Sequence, residues 1–201
     1  MGTQRFLPVL LALLLVSCGE EPAPEPEAEP LRDGSDAAIS AAVAAEQQAL
    51  STCGAVTVDG YCGVRFGMTA EAATAAFPVK LENYEAAPGA DFDPMRCYEL
   101  FAVEPVTGIS LLMERNGVTR IDFLSATART ADGFGVGSQA ADIRAKFGDA
   151  VSEMSNVFEP EITNLGVVQG ATKFVFEIED GAVRSWRAGL MPAVDYPAHC
   201  G

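Results

Sequence analysis

Basic residues are scarce in this chain. Its 201 residues hold 13 Lys and Arg against 28 Asp and Glu, a formal net charge of −15 at pH 7. Nucleic-acid phosphates need a basic surface to meet them, and so does an electrostatic hold on anionic lipid, so this balance excludes both. Histidine is scarcer still, with His199 the only one. A Ser-His-Asp or Cys-His hydrolase needs a positioned imidazole, whereas His199 stands beside Cys200 near the C-terminus and no Gly-x-Ser-x-Gly elbow exists. Without a Cys-x-x-Cys pair or His-rich spacing, no metal site is read. GFGVG, Gly133–Gly137, lacks the third glycine and the preceding strand of a dinucleotide loop, and reads as a pliable link. Asp91-Phe92-Asp93 offers too few ligands for an EF-hand calcium loop. Glu177 and Glu179 share one side of a strand, as glycosidase carboxylates might be placed, but acids on an outer face usually serve solvation. The expectation is a protein that is no enzyme and takes no cofactor.

Long apolar runs are also missing from the start of the chain. FLPVLLALLLV, Phe6–Val16, has 11 residues, too short to span a bilayer and the length of a signal-peptide core. Leu15-Val16-Ser17-Cys18 follows directly and resembles the bacterial lipobox. The resemblance implies that residues 1–17 are a lipoprotein signal peptide and that Cys18 is lipidated, so the chain meets a membrane through that anchor. An ordinary secretory signal with a chance cysteine is the alternative. By resemblance to the sorting rules of Gram-negative lipoproteins, an Asp at the position of Gly19 would favour inner-membrane retention, so the resemblance implies the outer membrane, facing the periplasm. Loss of residues 1–17 removes one Arg and no acid, leaving −16. Residues 18–35 alternate Pro with Glu and cannot build a core; they read as an extended, disordered acidic tether.

Asp36–Gly54 is Ala-rich and reads as a leading helix, capped by Ser35 or Asp36 and ended by Gly54. Ile39, Val43, Glu46 and Leu50 share one face of it, a thin apolar stripe. Four cysteines remain after Cys18, and an even count in an exported chain reads as disulfides. Cys53–Cys62 closes ten residues around an Asp59-Gly60 turn, leaving Cys97–Cys200 to staple the tail to the first sheet.

The rest of the chain uses one pattern twice. GMTAEAATAAFP, Gly67–Pro78, and GSQAADIRAKFG, Gly137–Gly148, start 70 residues apart. Each opens on Gly, runs through Ala-rich helical sequence and ends on Phe plus a breaker. Thr69 caps a helix over Ala70–Ala76 in the first, and Ser138 caps a helix to Phe147 in the second. Strands are expected near Val79–Ala86, over Cys97–Val103, and in a hairpin across Asn116-Gly117 with Ile109, Leu111, Met113, Ile121 and Phe123 on one face. In the second copy Val151–Phe158 is a strand, Glu159–Gly170 a long polar loop, and Phe174, Phe176 and Ile178 alternate before a return across Asp180-Gly181. Val183 and Trp186 are three apart, which demands a bulge if one face holds both. The expected fold is α+β: two tandem helix-plus-antiparallel-meander repeats sharing one sheet, over residues 63–130 and 131–201, behind a leading helix and disulfide loop at 36–62.

Gly67-Met68-Thr69, the lipobox and the tether resemble the small outer-membrane lipoprotein family BamE (SmpA/OmlA). The duplication and paired cysteines look like the β-lactamase inhibitory protein (BLIP-like) architecture. Tyr196-Pro197-Ala198-His199-Cys200 resembles the ending of a group of small exported bacterial proteins labelled lectin-like. The second of these implies a protein-binding or inhibitor module that docks its partner on the sheet face left open by the helices. The third implies a glycan or peptidoglycan partner, and a structural accessory of the outer membrane is a further reading. Candidate binding residues on the hairpin strands are Arg115, Arg120, Asp122, Arg184, Trp186 and Arg187, a basic and aromatic set suited to an acidic protein partner. The alternative places Trp186 in the core and pairs the arginines with Asp122, Glu114 and Glu177.

Overall fold

The structure is a computed structural model, which describes residues 33–84, 91–102 and 108–200. The expected signal peptide, Cys18 and the tether up to residue 32 lie outside them. Helix α1 spans Asp33–Ser51, beginning three residues before the expected start at Asp36. Its last turn brings Leu50 into the core. A small hairpin follows, β1 Gly60–Tyr61 against β2 Val64–Arg65, and the Cys53–Cys62 disulfide closes on it.

Helix α2 is Ala70–Ala76, with the Thr69 hydroxyl accepting from the Ala72 amide as an N-cap should. Phe77 ends it in the core and Pro78 cannot continue it. Four strands come next: β3 Leu81–Glu82, β4 Tyr98–Ala102, β5 Ile109–Glu114 and β6 Gly117–Phe123. Helix α3, Ala140–Phe147, precedes another four: β7 Val151–Ser155, β8 Thr163–Gln169, β9 Thr172–Glu179 and β10 Ala182–Leu190. The eight form one antiparallel sheet in the order β3-β4-β5-β6-β10-β9-β8-β7. The fold is therefore α+β, few helices against one large antiparallel sheet.

Several local expectations shift. β8 falls within the segment expected to be a polar loop, because its sequence, TNLGVVQ, hides its alternation behind Asn164 and Gly166. A Cβ at Gly166 would sit 2.6 Å from Lys173 Cε and Ser152 Oγ, both ends of side chains that can move aside. β7 correspondingly ends at Ser155 rather than Phe158. The β5–β6 turn centres on Arg115-Asn116, both at positive φ, one residue ahead of the expected Asn116-Gly117; Gly117 already pairs with Glu114. The second hairpin does turn on Asp180-Gly181. Ser138 does not cap α3, which starts after Gln139; the Ser138 hydroxyl instead accepts from the Gly135 amide and from Arg129. The β10 register shifts between Val183 and Ser185, and this bulge puts both Val183 and Trp186 on the core side.

One core face runs the width of the sheet. Tyr98, Leu111, Ile121, Phe123, Phe174, Phe176 and Trp186 share it with Ala73 and Phe77 of the first helical segment and Ala140 and Ile143 of α3. Strand alternation sends the intervening residues to the opposite face. After β10 the chain crosses that second face: a single 3-10 turn, Ala193–Asp195, packs on β6, β9 and β10, and the tail ends in the Cys97–Cys200 disulfide. The segment 191–200 is thus a strap tied to β6, β9 and β10 and, covalently, to the residue before β4.

Candidate functional site: the strapped face of the sheet

Register places the polar residues of the second face. Phe101, Ser110, Asp122, Arg187 and Val175 lie directly opposite one another across β4, β5, β6, β10 and β9. The next row on the same face is Glu99, Leu112, Arg120, Gly189 and Lys173, from strand pairings of the same ladders. Gly189 is glycine because a Cβ would stand 2.6 Å from the Thr119 carbonyl oxygen.

Charges on this face are paired with one another or turned onto the strap. Arg120, 3% exposed, gives Nε to Asp122 at 2.8 Å and Nη1 to the carbonyl oxygens of Ala193, Tyr196 and Ala198 at 3.2–3.3 Å. Arg187 gives Nε to the Val194 carbonyl at 2.7 Å and Nη1 to Glu177 at 2.6 Å. Ser185 donates to the other Glu177 oxygen at 2.6 Å. Lys173 reaches Asp195 at 2.6 Å. Glu99 accepts from Ser110 at 3.2 Å and stands 2.7 Å from His199 Nδ1. Apart from the Glu99–His199 pair, the sheet supplies cations and the strap supplies oxygens, so the strap is held by charge-assisted bonds as well as by its disulfide.

Protonation follows from these contacts. Burial pushes Asp122 above the usual carboxylate range, against the pull of Arg120, Arg187 and His199. Burial works on Glu177 in the same direction, but the Ser185 hydroxyl together with Arg187 and Arg184 outweighs it and holds Glu177 below that range. The hydrogen bond that His199 donates to Glu99 raises the imidazole above its ordinary 6.5.

Beside the strap the face opens into a cleft of about 360 Å³. Phe101, Ser110, Asp122, Ser185 and Arg187 line it from the sheet, and His199 lines it from the strap. Tyr84 and Leu124 form its exposed apolar rim, with the Tyr84 and Phe101 rings 5.5 Å apart.

The six residues expected to form a binding surface are separated by the structure. Arg120, Asp122 and Arg187 meet in the cleft. Trp186 borders it too but is 1% exposed, its ring stacked on Phe123 at 4.3 Å and on Phe176 at 5.7 Å in the core. An open-face role for Trp186 is therefore corrected: the β10 bulge turns it to the helix side. Arg115 lies exposed in the hairpin turn, away from the cleft lining. Arg184 sits at the bulge and binds Glu159 through both terminal nitrogens, with Glu177 and Glu179 nearby. The expected basic patch does not form, since Arg120, Arg184 and Arg187 all have carboxylate partners.

Sequence reasoning missed Glu99, Ser110 and Ser185, polar residues alternating with apolar ones in otherwise buried strands, which was the available signal. It also set aside His199, whose position depends on the tail folding back. The oxygens of Glu99 and Asp122 and a ring nitrogen of His199 lie within 4.8 Å of one another. That donor set suits a divalent ion in type, but the Arg120 guanidinium stands 2.8 Å from Asp122 and 3.3 Å from His199 Nδ1. The positive charge is already supplied, and the cluster is an ion-pair network. In the Asp91-Phe92-Asp93 loop, Asp93 accepts from the Met95 amide as a turn former.

No family profile matches the chain, and no curated protein does. A solved structure similar to it is the crystal structure of the uncharacterized protein yfeY from Escherichia coli, with 13% sequence identity and a TM-score of 0.41, covering 68% of this chain and 99% of that one. That likeness assigns no activity here.

Proposed function

We propose that this chain is an exported binding protein of the bacterial envelope, lipid-anchored through Cys18 and without catalytic activity, whose cleft beside the strap holds a neutral, hydroxyl-rich glycan. The cleft's pairing pattern carries this reading. An anionic ligand needs unpaired arginines and a cationic one unpaired carboxylates, but here Arg120 serves Asp122, and Arg187 and Ser185 both serve Glu177. A charged ligand would have to break those pairs in a low-dielectric face, at a cost its own charge would not recover. Hydroxyl groups can join such a network as donors and acceptors without displacing it, and the exposed Tyr84 ring at the rim, tilted 40° to Phe101 on the sheet, offers an apolar surface to the C–H face of a sugar. Catalysis has less support, because both Glu177 oxygens and the near oxygen of Asp122 are taken.

The docking of a protein on an open sheet face loses its anchor with Trp186 and its charge with the paired arginines. The two disulfides suit an exported chain. Among the described residues no helix is long and apolar enough to cross a membrane. A helix ahead of each four-strand run, with β6 and β10 paired at the centre, supports reading residues 63–130 and 131–201 as a duplicated unit of the BLIP-like kind.

A glycan array that includes peptidoglycan fragments, read by direct binding to the purified chain, tests the ligand. Retention of a neutral oligosaccharide, weakened about tenfold in Tyr84→Ala, is the expected result; an envelope protein captured equally by wild type and Tyr84→Ala, with no glycan retained, would overturn it. The anchor is tested separately: palmitate labelling should disappear in Cys18→Ala.

A further inference from the structure

The His199 ring nitrogen Nδ1 faces two partners that ask opposite things of it. Glu99 Oε1, at 2.7 Å, is an acceptor and needs a proton on Nδ1. Arg120 Nη2, at 3.3 Å, is a donor and needs the Nδ1 lone pair. One atom cannot satisfy both, so the protonation state of the ring selects the partner. Each partner leads elsewhere. Glu99 also holds the hydroxyl of Ser110, which lines the cleft. Arg120 is the side chain that grips three carbonyls of the strap and Asp122. His199 itself lines the cleft from the strap, and Cys200 beside it is tied to Cys97.

We infer that His199 is a proton-operated toggle on the cleft, clamping the strap end to β4 through Glu99 when charged and releasing Glu99 in favour of Arg120 when neutral. In the charged state an imidazolium–carboxylate bond closes the strap against the sheet. In the neutral state that bond is lost, Glu99 keeps Ser110 alone, and the strap end is held by Arg120 and the disulfide. The cleft is then more accessible from the strap side, and the Ser110 hydroxyl that lines it is left as the one partner of Glu99. The charged groups around the ring are Glu99 from β4 and Asp122 and Arg120 from β6; the latter attracts Nδ1 only when it is bare. Arg187 of β10 and Glu177 of β9 line the same cleft but are bound to each other. The toggle as a property of the ring stands without any ligand; its role as a regulator rests on the cleft being the binding site.

The chain has a single histidine, so imidazole nitrogen NMR on the full purified chain, disulfides intact, reports this ring alone. Above the titration, the neutral ring should carry its proton on Nε2, leaving Nδ1 an acceptor, and the Ser110 and Asp122 amides should titrate with the same midpoint. A neutral ring protonated on Nδ1, or cleft amides indifferent to the midpoint, overturns the toggle. Glu99→Gln should lower the midpoint by about one pH unit or more, since an opposite charge at this distance favours the charged ring. Affinity for the glycan found on the array should be at least threefold tighter at pH 8.5 than at pH 5.5, and the difference should vanish in His199→Gln. Equal affinity at both pH values overturns the regulatory role. If no glycan binds at either pH while the ring and amides behave as expected, the glycan reading fails and the toggle stands.

Discussion

At the scale of single residues, the sharpest consequence concerns Trp186. It is the only tryptophan, and its ring is enclosed by Phe123 and Phe176. Its Nε1 is buried with no hydrogen-bond partner among the described residues. An orphaned buried donor costs roughly 1–3 kcal/mol, while the packed ring contributes more than that. Trp186→Ala should therefore lose about 3–5 kcal/mol in urea unfolding, and Trp186→Phe considerably less, because it deletes the orphan while keeping most of the apolar contact. Acrylamide should quench native fluorescence poorly. Ready quenching, or a cost for Trp186→Ala below about 1 kcal/mol, would contradict the core placement. Protonation is a residue-scale matter too, and its sign differs between neighbours. His199 has a folded value raised by Glu99, so its contribution is fully present below the ordinary 6.5 and is lost as pH rises through the raised value. Glu177 is lowered, so its contribution is present above the ordinary carboxylate value of 4.5 and is lost as pH falls through the depressed one. The destabilisation caused by His199→Gln should consequently be larger at pH 5.5 than at pH 9, measured by thermal unfolding with the disulfides intact.

At the scale of elements, the strap and the disulfides decide most. Cys97–Cys200 spans 103 residues of sequence and Cys53–Cys62 spans 9. In the chain-entropy picture the long loop is worth about 4–5 kcal/mol and the short one about 2–3, so Cys97→Ala/Cys200→Ala should lower stability more than Cys53→Ala/Cys62→Ala in matched denaturant curves. Arg120→Lys tests the strap without touching sulfur. A lysine cannot serve Asp122 and three carbonyls at once, so hydrogen exchange should speed up through 193–199 while the β9 amides stay protected. Uniform acceleration across the sheet would mean the strap is not a separable element. The elements also differ in how well the sequence declared them. α2 was legible because Thr69, the alanines and Pro78 are local signals, and β9 because Phe174, Phe176 and Ile178 alternate. β8 was not, because Asn164 and Gly166 are poor strand formers and it is the pairing with β7 on one side and β9 on the other that overrides their propensity. The cleft was legible only in pieces. Alternation marks Glu99, Ser110, Asp122 and Arg187 as belonging to the second face, but their meeting requires the β6–β10 pairing and a tail that folds back onto both.

At the scale of the whole molecule, everything turns on the β6–β10 joint. Four strands lie on either side of it, and one continuous core passes beneath, from Leu50 and Phe77 to Ile143 and Phe176. Phe123 of β6 and Trp186 of β10 are register partners in that joint, and their rings stack across it. One buried cluster spans both sides: separating them would bare the β6 and β10 edges and expose Ile121, Phe123, Trp186 and Ala188 together. The bonds of the strap reinforce this, since Cys97 of the first side holds Cys200, and Arg120 of β6 holds carbonyls that follow β10. Apparent duplication in sequence thus does not make two independently stable domains. Unfolding of residues 33–201 should be a single transition, with Trp186 fluorescence and far-UV circular dichroism giving coincident midpoints. A fragment ending at residue 130, before α3, should show no cooperative transition and should bind a hydrophobic dye through its bared β6 face. Two separated transitions in the intact chain, or a sharply melting fragment, would mean that each side carries its own core and that the Phe123–Trp186 stack is a contact between domains rather than the centre of one.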